Sequence, residues 1–316
     1  MKKHFFYAAL FAMGLTMTVT SCSDDDDNNN GGEPPIHVVD THNIDYSSEN
    51  ALSWHNYMIN VASLLKTDAA TLYDSWKVSY DGGESFAEAF KKHSEASGTT
   101  SFLGCIEQII DGCCDIASEV GQTKIGEPYD FWKSKQYEQA VFAVESWYSW
   151  HSRDDYTNNI YSIRNSYYGS RNETIASNSL SALVKKSNPT LDARIKDAIE
   201  HAANSIQLIP QPFRNNIASS ETVTAMDACA SLESILNKEL RNFVQNCDEA
   251  DLQPIVEEYV DVVILPTYED LKVANENLYN DIVAFTKNPS DAAFATAAQS
   301  WIKARMPWEQ SEAFLF

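Results

Sequence analysis

Apolar residues recur at three- and four-residue intervals through almost the whole chain beyond its first forty-odd positions. Trp54, Tyr57, Met58, Val61, Leu65, Leu72 and Trp76 form one such series and predict a long amphipathic helix over 48–77. The same spacing predicts helices over 102–120, 134–149, 154–165, 191–208, 220–246, 252–286 and 291–305. Strand-like alternation is essentially absent, so the expected fold class is all-α. Ser152 followed by Asp155 reads as a capping box for a helix starting near Arg153. Pro254 suits the first turn of its helix, whereas Pro266 falls inside one and should kink it.

The periodic pattern breaks at Cys247-Asp248-Glu249-Ala250-Asp251, which marks a boundary between a helical domain over 46–247 and a second over 248–316. The first part holds enough helices for a complete bundle. The second holds two and a half and ends on Phe314-Leu315-Phe316, an apolar end without a polar tail. Either that end docks back into the fold or the second bundle is truncated in this chain; truncation is the preferred expectation.

The first residues follow different rules. Lys2 and Lys3 precede a mostly apolar run from Phe5 to Val19, too short for a comfortable membrane span, so 1–21 reads as a signal peptide. Val19-Thr20-Ser21-Cys22 resembles a bacterial lipobox, which makes Cys22 the expected lipidation site and the lipid anchor the first expected partner. Ser23-Asp24-Asp25-Asp26-Asp27 resembles the acidic export tag of some outer-membrane lipoproteins, periplasmic or surface-exposed, and 22–45 reads as a flexible tether.

Composition narrows the function. With 23 Lys and Arg against 45 Asp and Glu, the formal charge is −22, so no basic field exists to neutralise nucleic-acid phosphates or to adsorb to anionic lipid. The 44% of hydrophobic residues is ample for packed cores. Beyond Cys22 the cysteines are Cys105, Cys113, Cys114, Cys229 and Cys247, all within helical apolar patterns; they read as buried thiols, with one disulfide allowed. No C-x-x-C, H-E-x-x-H, G-x-S-x-G, P-loop or G-x-G-x-x-G occurs, which removes the readily recognised zinc-protease, hydrolase, NTPase and dinucleotide classes. His42 with Asp45, and His151 with Asp154, each have a carboxylate three residues on, and both read first as ordinary surface or capping residues.

The candidate chemistry lies at 301–316. If the helix resumes at Pro307, then Arg305, Glu309 and Glu312 fall at i, i+4 and i+7 on roughly one face. Two carboxylates beside a guanidinium can hold a cation or a polar ligand, and the bland alternative is a surface ion-pair ladder. Trp301-x-x-x-Arg305-x-Pro307-Trp308-Glu309-x-Ser311-Glu312-x-Phe314 resembles the first-half signature of imelysin-like proteins, bacterial envelope proteins once classed as metallopeptidases and linked to iron uptake. The residues Glu119, Lys124-Ile125, Val144-Glu145-Ser146-x-Tyr148-Ser149, Asp154 or Asp155, Asn158-Asn159, Tyr168-Gly169 and Pro212-Phe213 resemble the second half, in family order. The halves are thus reversed, as in a circularly permuted member. The family's Gly-x-His-x-x-Glu does not occur.

This resemblance implies two four-helix bundles with a polar site between them. Arg305, Glu309, Ser311 and Glu312 come from one side, and Glu145, Ser146, Ser149, Asp154 and Asn158 from the other. Iron or zinc is the implied metal, with Glu309 and Glu312 as its candidate ligands and His42 a remote one. The aromatic neighbours Trp147, Tyr148, Trp150 and Tyr156 are expected in the core. The implied function is ligand binding by an envelope-anchored monomer in iron homeostasis, alongside iron-uptake components and without catalysis; a metallopeptidase and a helical scaffold lipoprotein are the rivals.

Overall fold

A computed structural model describes residues 47–315 of the chain, and the expectations for Cys22, His42, the signal peptide and the tether lie outside those residues. Helices and turns account for the described residues, with no strand among them. In chain order the α-helices are α1 (Ala51–Lys77), α2 (Phe86–Lys91), α3 (Phe102–Ser118), α4 (Glu127–Lys133), α5 (Tyr137–Ala143), α6 (Ser152–Tyr168), α7 (Leu180–Ser187) and α8 (Pro189–Leu208). They continue with α9 (Ser220–Ser234), α10 (Arg241–Val244), α11 (Glu249–Glu258), α12 (Leu265–Lys287) and α13 (Asp291–Glu309). Three π-helical segments, Glu119–Gly126, Ile235–Leu240 and Tyr259–Ile264, join α3 to α4, α9 to α10 and α11 to α12.

Local chemistry sets many of the starts. Ser85, Ser101, Ser179, Ser219 and Ser290 each accept a hydrogen bond from the backbone N–H three residues on, the N-cap that satisfies an otherwise orphaned donor. The expected box at Ser152 and Asp155 does not form: the helix begins at Ser152 itself, Ser152 Oγ donates to the Glu145 carbonyl, and Asp155 is drawn to an arginine instead. Pro254 lies in the second turn of α11, which starts three residues earlier than its apolar pattern indicates. Around Pro266 the backbone is accommodated by the π-helical segment just before it, where the missing proline N–H is least disruptive.

The apolar stripes meet as their spacing requires. Helices α3, α6, α8 and α9 pack pairwise in a closed ring, α3 on α6, α6 on α8, α8 on α9 and α9 back on α3. Ile106, Ile109 and Ile110 of α3, Ile160 and Ile163 of α6, Ile195 and Ile199 of α8 and Leu232 of α9 are all essentially buried in one core. A smaller apolar cluster is built by Ala62 of α1 with Leu278 and Ile282 of α12 and Ala297 and Ala304 of α13. Helix α1, which precedes the boundary drawn at 248, therefore packs on the α12–α13 hairpin that follows it. The cysteines among the described residues are free thiols, four buried and Cys247 half-buried.

The apolar end docks back. Ala313 and Phe314 are fully buried, and Phe314 sits edge-on to Tyr259 and Tyr268, at 6.1 and 5.4 Å between ring centroids. Tyr268 Oη donates to the Phe314 carbonyl at 3.1 Å. The close approach needs Gly112 of α3, because a Cβ there would lie 2.1 Å from the Ala313 carbonyl oxygen.

Candidate functional site

The region between α5 and α6 carries the largest departure from the periodic pattern. A helix expected over 134–149 ends at Ala143, and Val144 to His151 form a turn in which Ser146 (φ 56°) and Trp150 (φ 65°) adopt left-handed backbone. Non-glycine residues occupy that region at a cost, and the surrounding structure must over-determine it. Here the Glu145 carbonyl is held by Ser152, the Ser146 carbonyl accepts from Ser149 Oγ at 3.0 Å, and the Glu145 carboxylate is held by two cations. Tertiary contacts override the local helical preference.

Those cations define the site. Arg305, near the end of α13, reaches Glu145 Oε1 and Asp155 Oδ2 at 3.0 Å each and pairs with Glu309 one turn on. Lys124, on the first π-helical segment, places Nζ 3.0 Å from Glu312 Oε2, 3.1 Å from Glu145 Oε2 and 3.0 Å from Asn159 Oδ1. Glu119 and Glu309 stand farther off, at 3.8 and 4.0 Å. Asn159 Nδ2 donates to Glu309 Oε2 at 2.7 Å, and Tyr156 Oη donates to the Lys124 carbonyl at 3.2 Å. Lys124, Asp155, Asn159 and Glu309 are buried, while the Glu145 side chain keeps 31% of its exposure and marks where the cluster meets solvent.

Burial and charge work against each other here. Burial pushes Glu309 well above the usual carboxylate range, and Arg305 offsets this only in part. Burial likewise raises Glu312, to about 7, against the pull of Lys124, and raises Asp155 despite Arg305. Glu145 differs: burial pushes it up, but Lys124 and Arg305 together hold it below its ordinary value. Burial disfavours the charged forms of Lys124 and Arg305, yet the surrounding carboxylates keep both firmly protonated. The site thus combines two fixed cations, an ionised Glu145, and carboxyls at Glu309 and Glu312 that hold their protons to higher pH than ordinary acids.

The sequence-derived candidates divide cleanly. Arg305, Glu309, Glu312 and Glu145 converge, and the buried Ser146 lies beside Asp155, where its hydroxyl works to lower that carboxyl. Asp154 does not: its half-exposed carboxylate lies 3.6 Å from His151 and accepts from Gln207. Asn158 stays at the edge, accepting from Gln310 at 2.7 Å. Their inward places belong to Asp155 and Asn159, one residue later and about 100° round the helix. Ser149 and Ser311 bond to backbone carbonyls of their own turns, and neither meets the ion cluster.

Lys124 lacks any spacing signal; what the sequence offers is its place in the family-like Glu119 to Ile125 stretch. Among the expected core aromatics only Tyr156 is fully buried, while Tyr148 and Trp150 are 49% and 55% exposed. Tyr148 and His151 lie 6.4 and 6.1 Å from the Trp301 ring, so aromatic groups rim the open edge of the cluster. A separate groove of about 410 Å³, lined by Arg171, Asp270, Lys303, Pro307 and Gln310 among others, runs along α12 and α13 away from these ions.

The donor set can be tested against a bare metal ion. No three His, Cys, Asp or Glu side chains among the described residues assemble as a metal-holding group. The carboxylate oxygens of Glu145, Glu309 and Glu312 are turned instead onto Lys124 Nζ and the Arg305 guanidinium. Iron or zinc on Glu309 and Glu312 does not fit this arrangement, since two cations already answer those charges.

Comparison with known proteins agrees with this architecture. The imelysin family model matches residues 29–238 and 264–316, and the chain belongs to the imelysin family. A crystal structure of an imelysin peptidase from Bacteroides ovatus superposes with a TM-score of 0.85 at 58% identity, covering 87% of this chain and 79% of that one. Iron-regulated protein A of Synechococcus elongatus is 24% identical over 203 residues, 63% of this chain and 55% of that relative's length. No helix among the described residues is long and apolar enough to cross a membrane.

Proposed function

We propose that this protein is an envelope-anchored imelysin-family lipoprotein, held through Cys22, that binds a small ligand at the Arg305–Glu145–Lys124 cluster and serves iron uptake or homeostasis. The observation that carries the reading is the convergence of Arg305, Glu309 and Glu312 from α13 and its following turn with Glu145 and Asp155, beneath an aromatic rim. Structural ion pairs alone do not call for an exposed Tyr148 beside the charges. The iron connection rests on the relative named iron-regulated protein A.

The accessible edge offers an ionised carboxylate, Glu145, next to stacking surfaces, Tyr148 and Trp301. Haem or another iron chelate, with a flat apolar face and polar substituents, suits that edge better than a bare ion. Titration of the full-length protein with iron, zinc and haem, followed by thermal unfolding, tests the reading. The expected outcome is stabilisation by haem that is lost in Glu145→Gln; absence of both binding and stabilisation with all three defeats it. Peptidase activity, named for the Bacteroides ovatus relative, requires a metal with an open coordination position and a base beside its water. The Lys124- and Arg305-filled cluster favours binding over that chemistry.

A further inference from the structure

Lys124 presents more oxygen than an ammonium needs. Its three N–H donors are matched by three acceptors at 3.0–3.1 Å, from Asn159, Glu145 and Glu312. Two further carboxylate oxygens, from Glu119 and Glu309, stand at 3.8 and 4.0 Å and cannot each receive a donor. Five oxygens, four from carboxylates and one from an amide, therefore converge on one buried point. The set carries more carboxylate than one ammonium answers, so by charge it is a cation pocket, although its oxygens stand around a nitrogen and not at metal-bond distances.

The backbone around Lys124 is arranged to keep its ammonium there. Its residue lies in a π-helical segment, where the register change re-aims side chains, and Tyr156 fixes its carbonyl. Gly121 in the same segment allows close packing on α9, since a Cβ there would meet Cys229 Cβ at 2.8 Å. One oxygen of Glu309 is fully buried with no hydrogen-bond donor, its charge met only by the ion pair with Arg305. The oxygen of Glu309 that faces Lys124 is the other one, Oε2, which accepts from Asn159 at 2.7 Å, so Arg305 and the Lys124 pocket divide this carboxyl between them.

We infer that this shell is a cation site whose occupant is the chain's own Lys124 ammonium, and that Lys124 thereby keeps free divalent cations out of the cluster. A divalent ion at the same point would have to expel Nζ and draw the three nearer oxygens inward by about 0.5–1 Å, and the two farther ones by more, to reach its usual bond lengths. With the ammonium tethered, its effective concentration at the site is far above that of any free ion. The inference deepens the ligand-binding reading above: it shares that site, but assigns the innermost position to the protein itself.

The test uses the full-length protein, Mn²⁺ as the probe, and electron paramagnetic resonance together with thermal unfolding. Wild type in about 1 mM Mn²⁺ should show a Tm within about 1 °C of its value in EDTA. Lys124→Ala and Lys124→Gln should unfold at lower temperature in EDTA, regain about 5 °C or more in Mn²⁺ and immobilise one equivalent of the ion. Adding Glu312→Gln to either variant should abolish that gain. A variant that folds only with Mn²⁺ supports the inference equally. Three results overturn it: Mn²⁺ held by wild type at this cluster, no response in either variant, or failure of both variants to fold at any Mn²⁺ concentration. The first of these would leave ligand binding at the cluster standing, whereas a failed haem titration would leave the Mn²⁺ result untouched.

Discussion

Arg194 and Arg305 both project from long helices and both meet carboxylates at hydrogen-bond distance, but in different surroundings. Arg194 makes a two-pronged contact with Glu239, 2.6 Å on each arm, with both side chains about half exposed. Water competes for each charge there, and the ordering of two long side chains offsets much of the attraction. Arg305 meets Glu145, Asp155 and Glu309 with most of its surface buried, so it, Asp155 and Glu309 cannot recover hydration if the contact is lost. Similar geometry therefore has opposite consequences: one pair decorates the fold, and the other is a condition for closing it.

The sharpest way to break this comparison is to remove each arginine. Arg305→Ala leaves Asp155 and Glu309 buried without their paired cation, and should lower unfolding free energy by about 3–5 kcal/mol in denaturant titration. A loss comparable to that of a surface variant would show that water reaches the cluster freely.

Acid–base behaviour sharpens the comparison at intermediate size. Glu312 titrates near 7 in the folded chain against 4.5 as an ordinary carboxylate, so the native state holds its proton more tightly than the unfolded state. That contribution is complete below pH 4.5 and is lost as pH rises from 4.5 through 7. Wild type should therefore lose on the order of 2–3 kcal/mol across this window relative to Glu312→Gln, which carries no titrating proton there. Glu145, held below its ordinary value by Lys124 and Arg305, works the other way and favours the folded chain above pH 4.5. Paired pH series of stability on the two proteins measure the difference directly. The smallest effect belongs to the surface: Arg194→Ala should leave the unfolding midpoint within experimental error.

What was legible in the sequence follows the range of the interactions concerned. Helical stripes such as Ile106-Ile109-Ile110 and Ile195-Ile199 depend on neighbours three and four residues away, and periodicity reveals them. Arg305, Glu309 and Glu312 were legible for the same reason. The step from Asp154 and Asn158 to Asp155 and Asn159 was not, because adjacent helical residues point about 100° apart and a run of neighbouring polar residues does not reveal which of them faces the cluster. Lys124 was hidden more thoroughly. Its partners come from positions 145, 159, 309 and 312, and its orientation depends on a π-helical register that apolar spacing does not encode. The turn at 144–151 was misread as helix for a related cause, since distant cations decide its backbone.

Gly112 and the turn that lies against it carry a consequence for how the molecule comes into being. Lys124 and Glu312 are 188 positions apart, and Glu145 and Arg305 are 160 apart, so the acids and bases of the cluster are synthesised long before and long after one another. Until the last helix and its turn settle against α3, Lys124 and Glu145 lack their distant counterparts. Contacts of such separation assemble late, after local helices and the four-helix ring have a chance to form. The cluster is accordingly closed only once that turn is made, when a backbone gap no wider than a missing methyl group lets it lie against α3.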